Sequence, residues 1–141
     1  MAGASIASLK TLAAAYGSPL RGLLGSDDDS PKRLVRARER WVLPSVSRGV
    51  KMEELARGDR MMACHLVSIA PGAGSGGTYA HEGEEFIFVL RGRLEVTIDG
   101  IDHYDMHPGD GLYFESSSPY SWRNPGRTET TVLWVNTPPT F

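Results

Sequence analysis

From Leu34 onward the chain never runs more than about ten residues without a turn signal. Arg91-Gly92, Asp99-Gly100, Pro108-Gly109-Asp110 and Asn124-Pro125-Gly126 each interrupt a short apolar run. Such spacing leaves no room for long helices and selects an all-β fold, a sandwich or barrel of short strands. Asp99-Gly100 supplies the two positive φ angles of a two-residue hairpin turn. The apolar runs predict strands at about 34–43, 49–55, 62–70, 78–81, 85–90, 93–98, 101–106, 112–115, 120–123 and 130–136. Between them "APGAGSGG", residues 70–77, reads as a loop. Leu94, Val96 and Ile98 alternate with Glu95, Thr97 and Asp99, giving one core face and one wet face. "EFIFVL" and "TVLWVN" are apolar at nearly every position, which predicts strands buried on both sides.

The first 33 residues read differently. Ile6, Leu9, Ala13 and Tyr16 form a helical stripe that Gly17 is placed to end. Ser18-Pro19 opens a second short helix through Leu20, Leu23 and Leu24, closed by Gly25. A polar linker over 26–33 separates this helical segment, 1–25, from the β domain, 34–141. The 141 residues otherwise make one domain with an adequate core. The single cysteine, Cys64, excludes an internal disulfide framework and fits a reducing compartment. No run approaches the ~20 apolar residues of a membrane helix, and no secretion signal is visible, so a cytoplasmic protein is expected. Residues 1–40 carry seven Lys/Arg and four Asp/Glu; residues 41–141 carry eight and thirteen. A β domain of net charge −5 is a poor nucleic-acid surface, and Arg36, Arg38 and Arg40 read as a solvated strand face.

The chemistry concentrates in "TYAHEGEEFIFVLRGRLEV", Thr78 to Val96. His81, three residues, Glu85, six residues, Gly92 resembles the latter part of the first motif of the cupin superfamily. In that family two histidines one residue apart precede the glutamate. The register of the second cupin motif is kept from Gly109 to Asn124. The resemblance spans about residues 60–136 and implies a cupin barrel, a double-stranded β-helix of jelly-roll type. Two departures bear on function. Tyr79 stands at the first histidine position and Tyr120 at the last, and Glu115 and Ser117 replace the proline and glycine of the second motif. Of the family's four metal ligands only His81 and Glu85 remain, an incomplete set for a divalent metal. The resemblance therefore implies either no cofactor or a metal held by these two.

A narrower resemblance points to a class of proteins. "HEGEEFIFVLRGRLEVTIDG" and "LWVNTPPTF" look like the C-terminal cupin of bacterial XRE-type helix-turn-helix regulators. "SIASLKTLAAAYGSPLRGLLG" resembles the last two helices of their DNA-binding domain, without the recognition helix. The resemblance implies a cytoplasmic, dimeric sensor cupin that contacts DNA only through a helix-turn-helix missing from this sequence. Tyr79, His81, Glu85, Tyr120 and Trp122 would line a pocket for an amine or amino-acid-like metabolite. The alternative is a small metal-dependent dioxygenase or isomerase. Glu82 and Glu84 read as an acidic turn, and Trp134 and Cys64 as core. In "HYDMH", His103 and His107 lie roughly 13 Å apart along a strand, too far to share an ion, with Tyr104 and Met106 facing inward.

Overall fold

A computed structural model describes residues 33–44, 47–57 and 61–139. The expected helices over 1–25 and nearly all of the linker lie outside the described residues. Eight strands follow in chain order among those described: β1 (Val50–Glu54), β2 (Ala63–Ile69), β3 (Glu84–Arg91), β4 (Leu94–Ile98), β5 (Asp102–Met106), β6 (Gly111–Glu115), β7 (Tyr120–Arg123) and β8 (Thr130–Thr137). They form a five-stranded sheet, β1-β2-β8-β3-β6, and a three-stranded sheet, β5-β4-β7, with every pairing antiparallel. The all-β jelly-roll expectation holds, and the strand positions from 49 onward hold with one exception.

That exception is 78–81, which forms only a bridge, Tyr79 to Tyr120. Together with a bridge from Gly74 to Arg123 it lays residues 74–79 along the free edge of β7. Residues 34–43 also depart from the expected strand: Ala37–Glu39 form a single 3-10 turn, and only Val42 bridges to Glu53 of β1. The Glu39 side chain accepts from the Arg36 backbone N–H at 3.1 Å, a local bond that favours the turn over an extended chain. The solvated strand face expected of Arg36, Arg38 and Arg40 therefore does not form. Asp99 and Gly100 both have positive φ, 57° and 68°, as the two-residue hairpin requires.

The core lies between the sheets and follows the period-2 pattern. Val67, Ile69, Ile87, Val89, Leu94, Val96 and Val132 lose essentially all exposure. Each contributes on the order of 1.5–3 kcal/mol of burial free energy. The outer face of β3 is not buried: Phe86 is 39% and Leu90 49% exposed, and β8 is only half-covered outside. Two-sided burial of these strands is thus corrected, since nothing among the described residues covers their outer face. Tyr104 is corrected as well. It pairs with Val96 and shares the inner side with buried Met106, but β5 is an edge strand and leaves Tyr104 40% exposed.

Candidate functional site at one end of the barrel

Alternation along β3 sends Glu85, Ile87 and Val89 inward, and Glu85 is the first of them to meet a polar environment. It pairs in register with Asn136 of β8 on one side and Phe114 of β6 on the other. His81 reaches the same place from the preceding segment. Its backbone N–H donates to the Ser116 carbonyl at 2.9 Å, and the Ser116 N–H donates to the Gly83 carbonyl at 2.9 Å. This pair of bonds clamps the loop against the end of β6. Tyr120, at the start of β7, completes the cluster with its ring edge against Phe114 at 4.9 Å.

Glu85 is 3% exposed, yet each oxygen of its carboxylate receives a donor. Trp134 Nε1–H donates to Oε1 at 2.5 Å and Ser116 Oγ–H to Oε2 at 2.8 Å. His81 Nε2 lies 3.1 Å from Oε2 and 3.2 Å from the Tyr120 hydroxyl. The other ring nitrogen, Nδ1, is 3.0 Å from the Glu82 carbonyl, which only accepts. Both ring nitrogens thus face acceptors, and we assign an imidazolium that donates at both ends. Burial works against that charge, but the hydrogen bonds to Glu85 and Glu82 and the carboxylate's charge outweigh it, raising His81 above its ordinary value. Burial, then the charge of Glu85 and the Tyr79 phenol, pushes Tyr120 far above the usual phenol range. Tyr120 is therefore a neutral phenol.

The donor set does not fit a divalent metal. His81 and Glu85 supply two protein ligands where a stable divalent site gathers three or four, and a metal would have to strip the Nε2 proton and displace the donors on Glu85. Tyr120 would have to ionise to become a good ligand, which its surroundings oppose. No group of three or more His, Cys, Asp or Glu that could hold an ion occurs among the described residues. In the "HYDMH" segment His103 Nδ1 meets Thr97 Oγ1 at 3.0 Å, while His107 lies 4.0 Å from Asp105.

Of the residues expected here, His81, Glu85 and Tyr120 come together. Tyr79 adjoins them through its ring, 6.4 Å from that of Tyr120, while its hydroxyl donates to the Ser75 carbonyl at 2.9 Å. Trp122 stacks edge-on with Trp134 at 5.3 Å and belongs to the core. Trp134 and Ser116 were missed. Inward parity on β8 and β6 is the signal that could have found them, because positions 134 and 116 continue the buried alternation.

Two facing antiparallel sheets with a polar cluster carried by the motif-bearing hairpin define a cupin barrel. The chain belongs to the Cupin_2 family of cupin domains, which matches residues 65–136. Along nearly its whole length it is also related to the HTH-type transcriptional regulator PuuR of Escherichia coli K12. The two are 27% identical over 139 residues, 97% of this chain and 75% of the regulator. The cupin domain of an XRE family transcriptional regulator from Enterobacter cloacae superposes with a TM-score of 0.57 at 22% identity, covering 65% of this chain and 99% of that one. A hydroxypropylphosphonic acid epoxidase from S. wedmorenis reaches 0.65 at 18% identity, covering 74% and 59%. These likenesses establish the fold, which regulators and an enzyme share; function has to be argued from the site.

Proposed function

We propose that the chain is the small-molecule-sensing cupin of an XRE-type transcriptional regulator, working in the cytoplasm as a homodimer. The observation that carries this reading is a buried His81–Glu85 pair completed by the neutral Tyr120 phenol where a further metal ligand would be needed. Only His81 and Glu85 remain as protein ligands, and both are engaged with Trp134, Ser116 and each other, so a divalent metal would find too few ligands to be held tightly. What the barrel end offers instead is a carboxylate beside the faces of Tyr79 and Tyr120, a setting suited to an amine or amino-acid-like metabolite. An ammonium group can displace the imidazolium from Glu85 without changing the charge of the pair. The relation to PuuR supports the regulatory setting, with DNA contacted by a helix-turn-helix rather than by the acidic barrel. Exposed Phe86, Leu90 and Tyr113 on the outer face of the five-stranded sheet support pairing of two copies.

Metal content of protein purified without a chelating column, followed by calorimetric titration with a panel of amines and amino acids, tests the proposal. We expect metal well below one ion per chain and saturable binding by a member of the panel, weakened about tenfold or more in Glu85→Gln. One ion per chain, lost in Glu85→Ala, would overturn the sensor reading in favour of the metal-dependent enzyme.

A further inference from the structure

A second concavity lies outside the barrel, on the outer face of the three-stranded sheet. Leu94, Val96, Tyr120 and Trp122 of β4 and β7 point into the core, so their neighbours Glu95, Thr97, Ser121 and Arg123 face outward. These four form the floor of a groove of about 840 Å³, walled by the turn at Ser47–Gly49 and by the glycine-rich loop 70–77.

The loop is held at two points and left open between them. The Ser75 N–H donates to the Trp122 carbonyl at 2.8 Å, and the Tyr79 N–H to the Tyr120 carbonyl at 2.9 Å. Gly74 permits this close approach, since a Cβ there would stand 2.3 Å from the Trp122 oxygen. The three residues between the anchors, Gly76, Gly77 and Thr78, are exposed, line the groove, and donate no backbone hydrogen bond to any described residue. A Cβ built on Gly77 meets nothing within 4 Å, so the space above this backbone is open.

The charges around it are unequal. Arg123 binds Glu95 through Nε at 3.1 Å, leaving its terminal nitrogens without another hydrogen bond among the described residues. Arg48, at the opposite wall, has no hydrogen-bond or ion-pair partner among the described residues. With Glu95 offset by Arg123, the groove keeps the positive charge of Arg48. Consecutive backbone donors and guanidinium groups that line one groove suit a group that only accepts, and a cation would find only a carboxylate that is already paired. We propose that this groove binds an oxyanion, the carboxylate or phosphate group of a small molecule, against the Gly76–Thr78 backbone and Arg48. The site is separate from the barrel interior and stands whether or not that interior senses an amine.

Isotope-labelled protein titrated with inorganic phosphate, with acetate, and with sodium chloride at matched ionic strength tests this through its backbone amide resonances. We expect saturable shifts at Gly76, Gly77 and Thr78 with at least one oxyanion, absent with chloride, and about tenfold weaker binding in Arg48→Gln. Saturation by acetate alone assigns a carboxylate ligand, and by phosphate alone a phosphoryl group. Because Arg48 is exposed, the variant keeps its fold, and the remaining amide spectrum reports this directly. Shifts that fail to saturate, that chloride reproduces, or that survive Arg48→Gln unchanged would overturn the proposal.

Discussion

A carboxylate as enclosed as Glu85 survives in a barrel only because each oxygen receives charge-assisted hydrogen bonds. Among the described residues Trp134 is the one donor to Oε1, and its indole is otherwise core packing against Trp122. Replacing it by phenylalanine keeps an aromatic ring but strands one oxygen of a buried anion. We therefore expect Trp134→Phe to lose roughly 2–4 kcal/mol in urea unfolding, more than the packing change alone explains. The companion Trp134→Phe/Glu85→Leu, which removes the anion as well, should recover part of that loss. A double variant no more stable than the single one would show that the bond contributes little. At this scale the sequence was half legible. Motif spacing placed His81, Glu85 and Tyr120 together because a hairpin's register converts spacing into position. Trp134 and Ser116 escaped because a cross-sheet partner depends on which strands are neighbours, and β8 joins β3 although residues 92–129 lie between them. Trp122 shares the inward parity of Tyr120 on β7, but its ring packs on Trp134.

Two glycines with similar backbones separate conformation from crowding at the level of the elements. Gly92 closes the β3–β4 turn at φ 86°, and Gly100 the β4–β5 turn at φ 68°. A Cβ at Gly100 meets nothing within 4 Å, whereas at Gly92 it would stand 2.4 Å from Thr130 Oγ1 and 2.7 Å from its Cα. That threonine also ties the turn down: its hydroxyl donates to the Arg93 carbonyl at 2.6 Å and accepts from the Arg93 N–H at 2.9 Å. Gly100→Ala should cost about 1 kcal/mol, the strain of left-handed backbone alone. Gly92→Ala should cost more than about 3 kcal/mol, because β8 must shift as well. Equal denaturation midpoints for the two variants would refute this. Strand spacing was legible for the same reason that these turns matter: positive φ and proline punctuate the chain wherever the sheet reverses. Residues 34–43 were misread since alternating Arg and apolar residues mimic a strand, while the deciding bond, Arg36 N–H to Glu39, is a three-residue turn contact.

Across the whole molecule, two buried histidines pull the pH dependence of stability in opposite directions. His65, 2% exposed on β2 and paired with Trp134, is held neutral by burial, which lowers it to about 4. The unfolded chain, with an ordinary imidazole near ~6.5, binds a proton first as pH falls. Stability is therefore full above about 6.5 and drops by roughly 3 kcal/mol as the pH reaches about 4. His81 behaves oppositely. Its folded value is raised, so its pairing with Glu85 stabilises fully below the unfolded value and is lost as pH rises through the folded one. The two effects leave a stability maximum near the ordinary histidine value, with one residue responsible for each limb. In urea titrations from about pH 4 to pH 8, His65→Leu should flatten the acid limb and leave the upper limb in place. His81→Gln should flatten the fall above the ordinary histidine value while the acid limb stays. The slopes, not the absolute stabilities, carry the test, since each substitution also changes packing. An acid limb equally steep in His65→Leu and in the parent would mean that His65 does not set the acid sensitivity and that its burial costs the folded barrel little.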